Sequence, residues 1–273
     1  MFPVLLKLGP VTIYSYGFFL VAAYIVGTFI FWREGRRQGY QSEKLLDLSL
    51  LSLIAALVGG RLYGFLFDLG SAFDDPLSLL AFWRGDLHFF GALFGVISVG
   101  LVFTRRWKWT TLQVADFSFL AALVALIFAK TGAFLAGVEY GTASSLPWAT
   151  QASSLLGESH PVQLYEAGYA VLLFVIFKKV YEDNLKEREI KSGKVFLQGL
   201  FFLSSGRFVF ELFRADSIYI FGMKSAQIVS LLVALVSLFT LYYLNLRNLK
   251  EDLRGFLKFI LSVNGRVLRR LRI

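Results

Sequence analysis

Residues Leu46–Phe67 read LDLSLLSLIAALVGGRLYGFLF, a run long enough to cross the hydrocarbon core of a bilayer, which takes about 20 residues of helix. The run is continuously apolar and lacks the alternation of lipid-facing barrel strands, so it reads as a membrane helix with one arginine, Arg61, inside it. Stretches of the same kind lie on both sides: Ile13–Trp32, Leu87–Phe103, Val114–Gly132, Val162–Phe177, Val195–Phe213 and Ile228–Leu244. The expected fold is therefore all-α, a polytopic integral membrane protein with seven transmembrane helices. With 56% apolar residues and a mean hydropathy of +0.63, nearly all of the 273 residues are used in spanning. Cysteine is absent and only His88 and His160 represent histidine, which excludes disulfides, thiolate chemistry from this chain and a histidine-rich metal site.

The net charge of +9 in so apolar a chain points to loops facing anionic lipid; no nucleic acid partner is expected. Lys and Arg alternate between poor and rich segments along the spans. Placing the poor segments outside puts 21 cations on the cytoplasmic side and four outside, with Arg61, Lys130 and Arg207 within spans. The expected N-terminus is outside and the C-terminus cytoplasmic. Four cations follow the first apolar run and no basic segment precedes it, so that run is expected to remain as a span and not to be a cleaved leader. Residues 1–244 form the expected membrane domain, with an external arm over about 133–161 that has no Lys or Arg. Residues 245–273 repeat Leu246, Leu249, Leu253, Phe256, Ile260 and Val263 at helical steps beside Lys250, Arg254 and Lys258, the pattern of a basic amphipathic tail helix on the cytoplasmic leaflet.

Charges within spans are costly, about 2.5–3.5 kcal/mol each on insertion scales, so they default to function. Counting rise per residue places Arg61, Lys130, Arg207 and Glu211 in the outer half of the membrane. Tyr16 and His88 enter from the outer ends of descending spans, and His160, Gln163, Tyr165 and Glu166 open the fifth. Three cations against one or two carboxylates predict a site with excess positive charge beside the outer leaflet. An anionic phospholipid headgroup fits it: arginine's planar fork suits phosphate, and Tyr16, Tyr63 and Tyr165 can meet glycerol hydroxyls. The bland alternative is snorkelling of Arg61 or Lys130 to the headgroups, with Arg207 and Glu211 neutralising each other at i and i+4. Gly59, Gly60, Gly64, Gly91 and Gly95 read as points of close helix approach.

The pieces LGPVTIYSYG (8–17), GGRLYGFLF (59–67), FFGALFGV (89–96), HPVQLYEA (160–167), GRFVFELFR (206–214) and GMKSAQIVS (222–230) form an ordered set that resembles the prolipoprotein diacylglyceryl transferases of the bacterial plasma membrane. That resemblance implies transfer of the diacylglyceryl group of phosphatidylglycerol to the cysteine thiol of an exported preprotein's lipobox, with glycerol phosphate released and no cofactor or metal. The acceptor cysteine belongs to the substrate, so a chain without cysteine is no difficulty. By position, the resemblance implies that Arg61 and Arg207 bind the lipid phosphate and stabilise its departure, with Lys130 beside them. Tyr16, Gln163, Tyr165, Glu166 and Glu211 would orient the site, together with Glu139, Gly141 and His160.

The chain departs from the family's pattern in two places. The family loop reads roughly Gly-Arg-x-Gly-Asn-Phe-x-Asn-Gly-Glu-x-x-Gly, whereas here Lys130 stands for arginine, Ala133 and Ala136 for asparagine, and Glu139 follows the acidic position by one. The family's Phe-His-Gly-Gly motif puts its histidine, a candidate base for the thiol, where this chain has Phe90; His88 is the nearest candidate, two residues earlier. A relative that binds anionic phospholipid or exported peptide without turnover is the alternative reading.

Overall fold

The computed structural model describes residues 2–67, 87–151, 157–187, 190–215, 219–220, 222–252 and 254. The chain divides into two compact units, residues 2–136 and 137–273. Most of the expected tail helix lies outside the described residues; its described part is helical over 249–252.

The first unit opens with a hairpin in place of the expected start of a span. Strands β1 (Val4–Leu8) and β2 (Val11–Tyr14) pair antiparallel, Leu8 opposite Val11. The turn between them is Gly9-Pro10, and Gly9 has φ +58, a value open to glycine at a hairpin's first turn position. Ile13 therefore belongs to a strand, and helix α1 begins two residues later, spanning Ser15–Arg37. Ser15 is fully buried: its hydroxyl donates to the Phe2 carbonyl and its N–H to Pro3 O at 2.9 Å. Short apolar runs such as VLLKL do not reveal by periodicity whether they extend a helix or form a strand.

Three more helices complete this unit: α2 (Ser42–Phe67), α3 (Phe89–Arg106) and α4 (Thr111–Ala136). α1 packs chiefly on α4, and α2 on α3. The second contact is backbone to backbone. A Cβ at Gly59 would strike the carbonyl oxygen of Gly91, one at Gly91 would strike that of Gly59, and one at Gly95 would strike that of Ala55. In lipid no hydrophobic force draws helices together, so such close approach supplies the packing. At the far end of α1, Glu34 is fully buried between Arg33 and Arg37, at 2.7 and 2.9 Å.

The second unit holds α5 (Val162–Lys186), α6 (Lys194–Phe210), a 3-10 turn at Glu211–Phe213 and α7 (Ser225–Tyr243). α6 packs on α7 and on α5. Two short hairpins join them, β3 (Thr150–Gln151) with β4 (Glu158–Ser159) and β5 (Tyr219–Ile220) with β6 (Met223–Lys224). The first lies in the stretch expected to be an external arm.

Of the seven long helices among the described residues, six are long and apolar enough to cross a membrane. The exception is α5, which carries Glu166 in its second turn and a charged end from Lys178 onward. The chain is an all-α, multi-pass membrane protein.

Candidate functional site

In the second unit, the start of α5, the end of α6 and the 211–214 turn bring charged groups together. Arg207 and Glu211 are one helical turn apart, and Arg214 follows three residues later, so all three share one face. The Arg207 guanidinium bonds Glu166 through Nη1 and reaches Glu211 Oε2 through Nη2 at 3.2 Å. Both carboxylates are buried, at 6% and 2% exposure, while the Arg207 side chain retains 32%. The arrangement fixes the planar fork from behind and leaves part of it accessible, as recognition of a phosphate requires.

Arg214 extends the cluster, pairing with Glu139 at 3.2 Å and with Glu211 at 4.0 Å. Glu139 is held in a left-handed backbone conformation, φ +59, just after Gly137 at φ +73. The chain then runs alongside the turn: Thr142 N–H donates to Phe213 O at 2.8 Å, and Gly141 bridges Arg214. A Cβ at Gly141 would stand 2.5 Å from the His160 carbonyl oxygen and 2.7 Å from the His160 Cβ. Gly141 is thus required for the backbone of the loop to reach His160.

Lys224, 8% exposed, donates its ammonium to Glu211 O at 2.7 Å and to Arg214 O at 2.5 Å. It ties together two carbonyls of the turn that follows α6, adding a second donor to Glu211 O, which also accepts the Arg214 N–H at 3.3 Å. Arg214 and Lys224 were counted in the sequence only as external cations. Arg214 had a signal, its i+3 spacing from Glu211; Lys224, which meets its partners across a hairpin, had none.

Of the three cations expected to give the site its positive excess, Arg207 lies in this unit and Arg61 and Lys130 in the other. Arg207, Arg214 and Lys224 face Glu139, Glu166 and Glu211, three cations against three carboxylates. Sequence distance concealed this balance, because Glu139 lies 75 residues from its partner Arg214.

Gln163 is 1% exposed and donates its amide N–H to Val138 O at 2.6 Å. That bond fixes the amide's orientation, and its Oε1 has no donor among the described residues. Tyr165 accepts a hydrogen bond from Trp148 Nε1 at 2.9 Å, and its hydroxyl lies 3.3 Å from His160 Nδ1. Phe213 covers the other side of His160, with ring centroids 5.2 Å apart. The structure therefore gathers Glu139, Gly141, His160, Gln163, Tyr165, Glu166, Arg207 and Glu211 in one unit.

The other expected site residues belong to the first unit. Arg61 is buried, at 9% exposure, two residues beyond the Gly59–Gly91 contact on α2. His88 is exposed and precedes α3; its backbone N–H donates to Gly60 O at 3.2 Å, and its ring lies 5.6 Å from that of Tyr63. Tyr16 is 36% exposed in the first turn of α1, and its Cα lies 3.7 Å from where a Cβ on Gly132 of α4 would be. Lys130 is half-buried on the same helix as Gly132. Among the described residues no three His, Asp or Glu side chains come together to hold a metal ion.

Helices α5 and α6 of this multi-pass membrane protein thus converge on an arginine held by two buried carboxylates. Residues 3–243 match the sequence profile of the prolipoprotein diacylglyceryl transferases. The chain belongs to this family. Similar proteins include the phosphatidylglycerol–prolipoprotein diacylglyceryl transferase of Lysinibacillus sphaericus, 29% identical over 254 residues, covering 88% of this chain and 91% of that one. The Trichormus variabilis protein of the same name is 26% identical over 238 residues, covering 84% of each. That of Streptococcus agalactiae is 24% identical over 247 residues, covering 88% of this chain and 95% of its own.

Proposed function

We infer that the protein transfers the diacylglyceryl group of phosphatidylglycerol to the lipobox cysteine thiol of exported prolipoproteins, releasing glycerol phosphate. The observation that carries this reading is membership of the family over residues 3–243. It is supported by the geometry of Arg207, whose guanidinium is anchored by two buried carboxylates and still accessible.

The sulfur attacks the glycerol carbon that bears the phosphate, and negative charge gathers on the departing phosphate oxygens. Donors already in place at that point lower the barrier because they need no reorganisation as the charge develops. Arg207 fills this role; Arg61, Lys130 and Tyr16 are headgroup candidates on their place in the family's motifs alone. Gln163 Oε1, a buried acceptor, suits a glycerol hydroxyl. Glu166 and Glu211 orient Arg207, Glu139 orients Arg214, and Gly141 lets the loop close on His160.

We assign the protein to the bacterial plasma membrane with seven spans, α5 being the seventh. The N-terminus is outside, the C-terminus is cytoplasmic, and the reaction takes place toward the outer leaflet. The cation asymmetry of the loops supports this orientation.

The test is an assay of the purified protein in phosphatidylglycerol-containing micelles with a cysteine lipobox peptide, read by mass. The expected product carries a thioether-linked diacylglyceryl group and is absent with a serine peptide. Lipid binding without product would instead establish the non-catalytic relative, which Ala133, Ala136 and Phe90 favour as the second reading.

A further inference from the structure

We propose that His160, reached through Tyr165, takes the proton of the acceptor thiol. The proposal rests on the transferase reading and assigns a step that reading leaves open. A thiol must ionise to attack, and histidine is the side chain that accepts a proton near neutral pH without special tuning. The chain has two histidines and no cysteine. The carboxylates around His160 are already engaged: Glu166 by Arg207, Glu211 by Arg207 and Arg214, and Glu139 by Arg214.

The hydrogen bonds around His160 have a direction. An indole N–H only donates, so Trp148 Nε1 gives its proton to the Tyr165 oxygen at 2.9 Å. The phenol proton is then free to point at His160 Nδ1, 3.3 Å away. We assign Nδ1 as the acceptor of that proton, which places the neutral ring's own proton on Nε2. His88 makes no such bond among the described residues; its ring has only the contact with Tyr63.

The imidazole is also held in place. The His160 backbone donates to Thr142 O at 3.0 Å and accepts from Val162 N at 2.9 Å; Gly141 packs against it, and Phe213 lies on its ring. Trp148 is 58% exposed, and His160 and Tyr165 are each half-buried, so a peptide can approach the relay. Tyr165 immediately precedes Glu166, which holds Arg207, so the relay and the proposed phosphate-binding arginine share the start of α5.

In the step, the thiol S–H gives its proton to the Tyr165 oxygen as the Tyr165 proton passes to His160 Nδ1. The sulfur forms its bond to the glycerol carbon, and the carbon–oxygen bond to the phosphate breaks. Glycerol phosphate leaves with that electron pair, and the imidazolium returns its proton to water.

The experiment measures transfer by the full-length protein from pH 6 to pH 10, with phosphatidylglycerol micelles and a cysteine lipobox peptide, for the unmodified chain, His160→Asn and Tyr165→Phe. His160→Asn is expected to fall by about 100-fold or more at pH 7. The deficit should close toward pH 9.5, where a thiol with a pKa of about 8.5 ionises unaided. Tyr165→Phe is expected to show a smaller loss with the same recovery. Full activity of His160→Asn at pH 7, or an equal loss at every pH, would overturn the proposal. Should His160→Asn fail to fold, an unchanged pH profile in Tyr165→Phe would overturn it. If the unmodified chain gives no product, the transferase reading itself fails, which is a separate outcome.

Discussion

The α2–α3 contact and the charged cluster at the end of α6 hold their elements together by opposite means. On α2, Gly59 meets Gly91 backbone to backbone, and Arg61 lies buried two residues further along the helix. At α6, Arg207 and Arg214 are fixed by carboxylates from elsewhere in the sequence, and Lys224 closes the turn beneath them. The first arrangement tolerates no added atoms, whereas the second tolerates no lost charge. Close packing fixes a helix's position, and paired charges fix a guanidinium's orientation, which is what phosphate recognition needs.

The largest effect expected is from Glu211→Ala, which removes a buried partner of both Arg207 and Arg214. Breaking buried pairs of this kind costs about 3–5 kcal/mol, seen as a lower thermal unfolding midpoint in detergent. A midpoint equal to that of the unmodified protein would mean the cluster is not held by charge. Next, Gly91→Val forces side-chain carbon into the Gly59 backbone, a cost of about 1–3 kcal/mol for overpacking. Gly100→Val, where an added Cβ meets nothing within 4 Å, is its control, and equal midpoints for the two would break the contrast between the regions.

Lys224→Met keeps the length of the side chain but removes the ammonium that bridges the Glu211 and Arg214 carbonyls, at about 1–3 kcal/mol. Its transfer activity should fall further than its stability alone explains, because the turn bearing Glu211 and Arg214 loosens; activity that tracks only the folded fraction would argue against that coupling. The smallest effect is at the pair Glu187–Lys194, 2.8 Å apart, which joins the end of α5 to the start of α6 with the Glu187 side chain 38% exposed. The hydrogen bond from Lys194 holds the Glu187 carboxyl below its usual value. Because the folded-state value is depressed, the pair stabilises above the unfolded carboxylate range and stops doing so as pH falls through the folded value. Glu187→Gln should therefore cost no more than about 1 kcal/mol near pH 7, with the difference fading as the pH falls through the depressed folded-state value of Glu187; a difference that persisted in acid would point to packing instead.

The sequence showed what repeats along a helix and missed what closes across the chain. Long apolar runs revealed six membrane-crossing helices, and the i, i+4 spacing of Arg207 and Glu211 survives as a contact. The segment around Ile13 was misread because a short apolar strand and a helix start look alike, and only Gly9's positive φ distinguishes the hairpin. α5 carries the fifth apolar run, Val162–Phe177, but Glu166 within it and the charges from Lys178 onward keep the helix from matching the other six in apolar length. The Arg214–Glu139 pair, the Lys224 cap and the Trp148–Tyr165–His160 chain join residues brought together by folding, and no periodic signal encodes them.

The most direct test of the account is to compare Arg207→Ala with the unmodified protein in the lipobox-peptide transfer assay, at equal amounts of folded protein. Loss of one charge-stabilising donor predicts a fall in turnover of about 100- to 1,000-fold. Turnover equal to that of the unmodified protein would contradict the claim that the carboxylate-anchored guanidinium of Arg207 stabilises the departing phosphate.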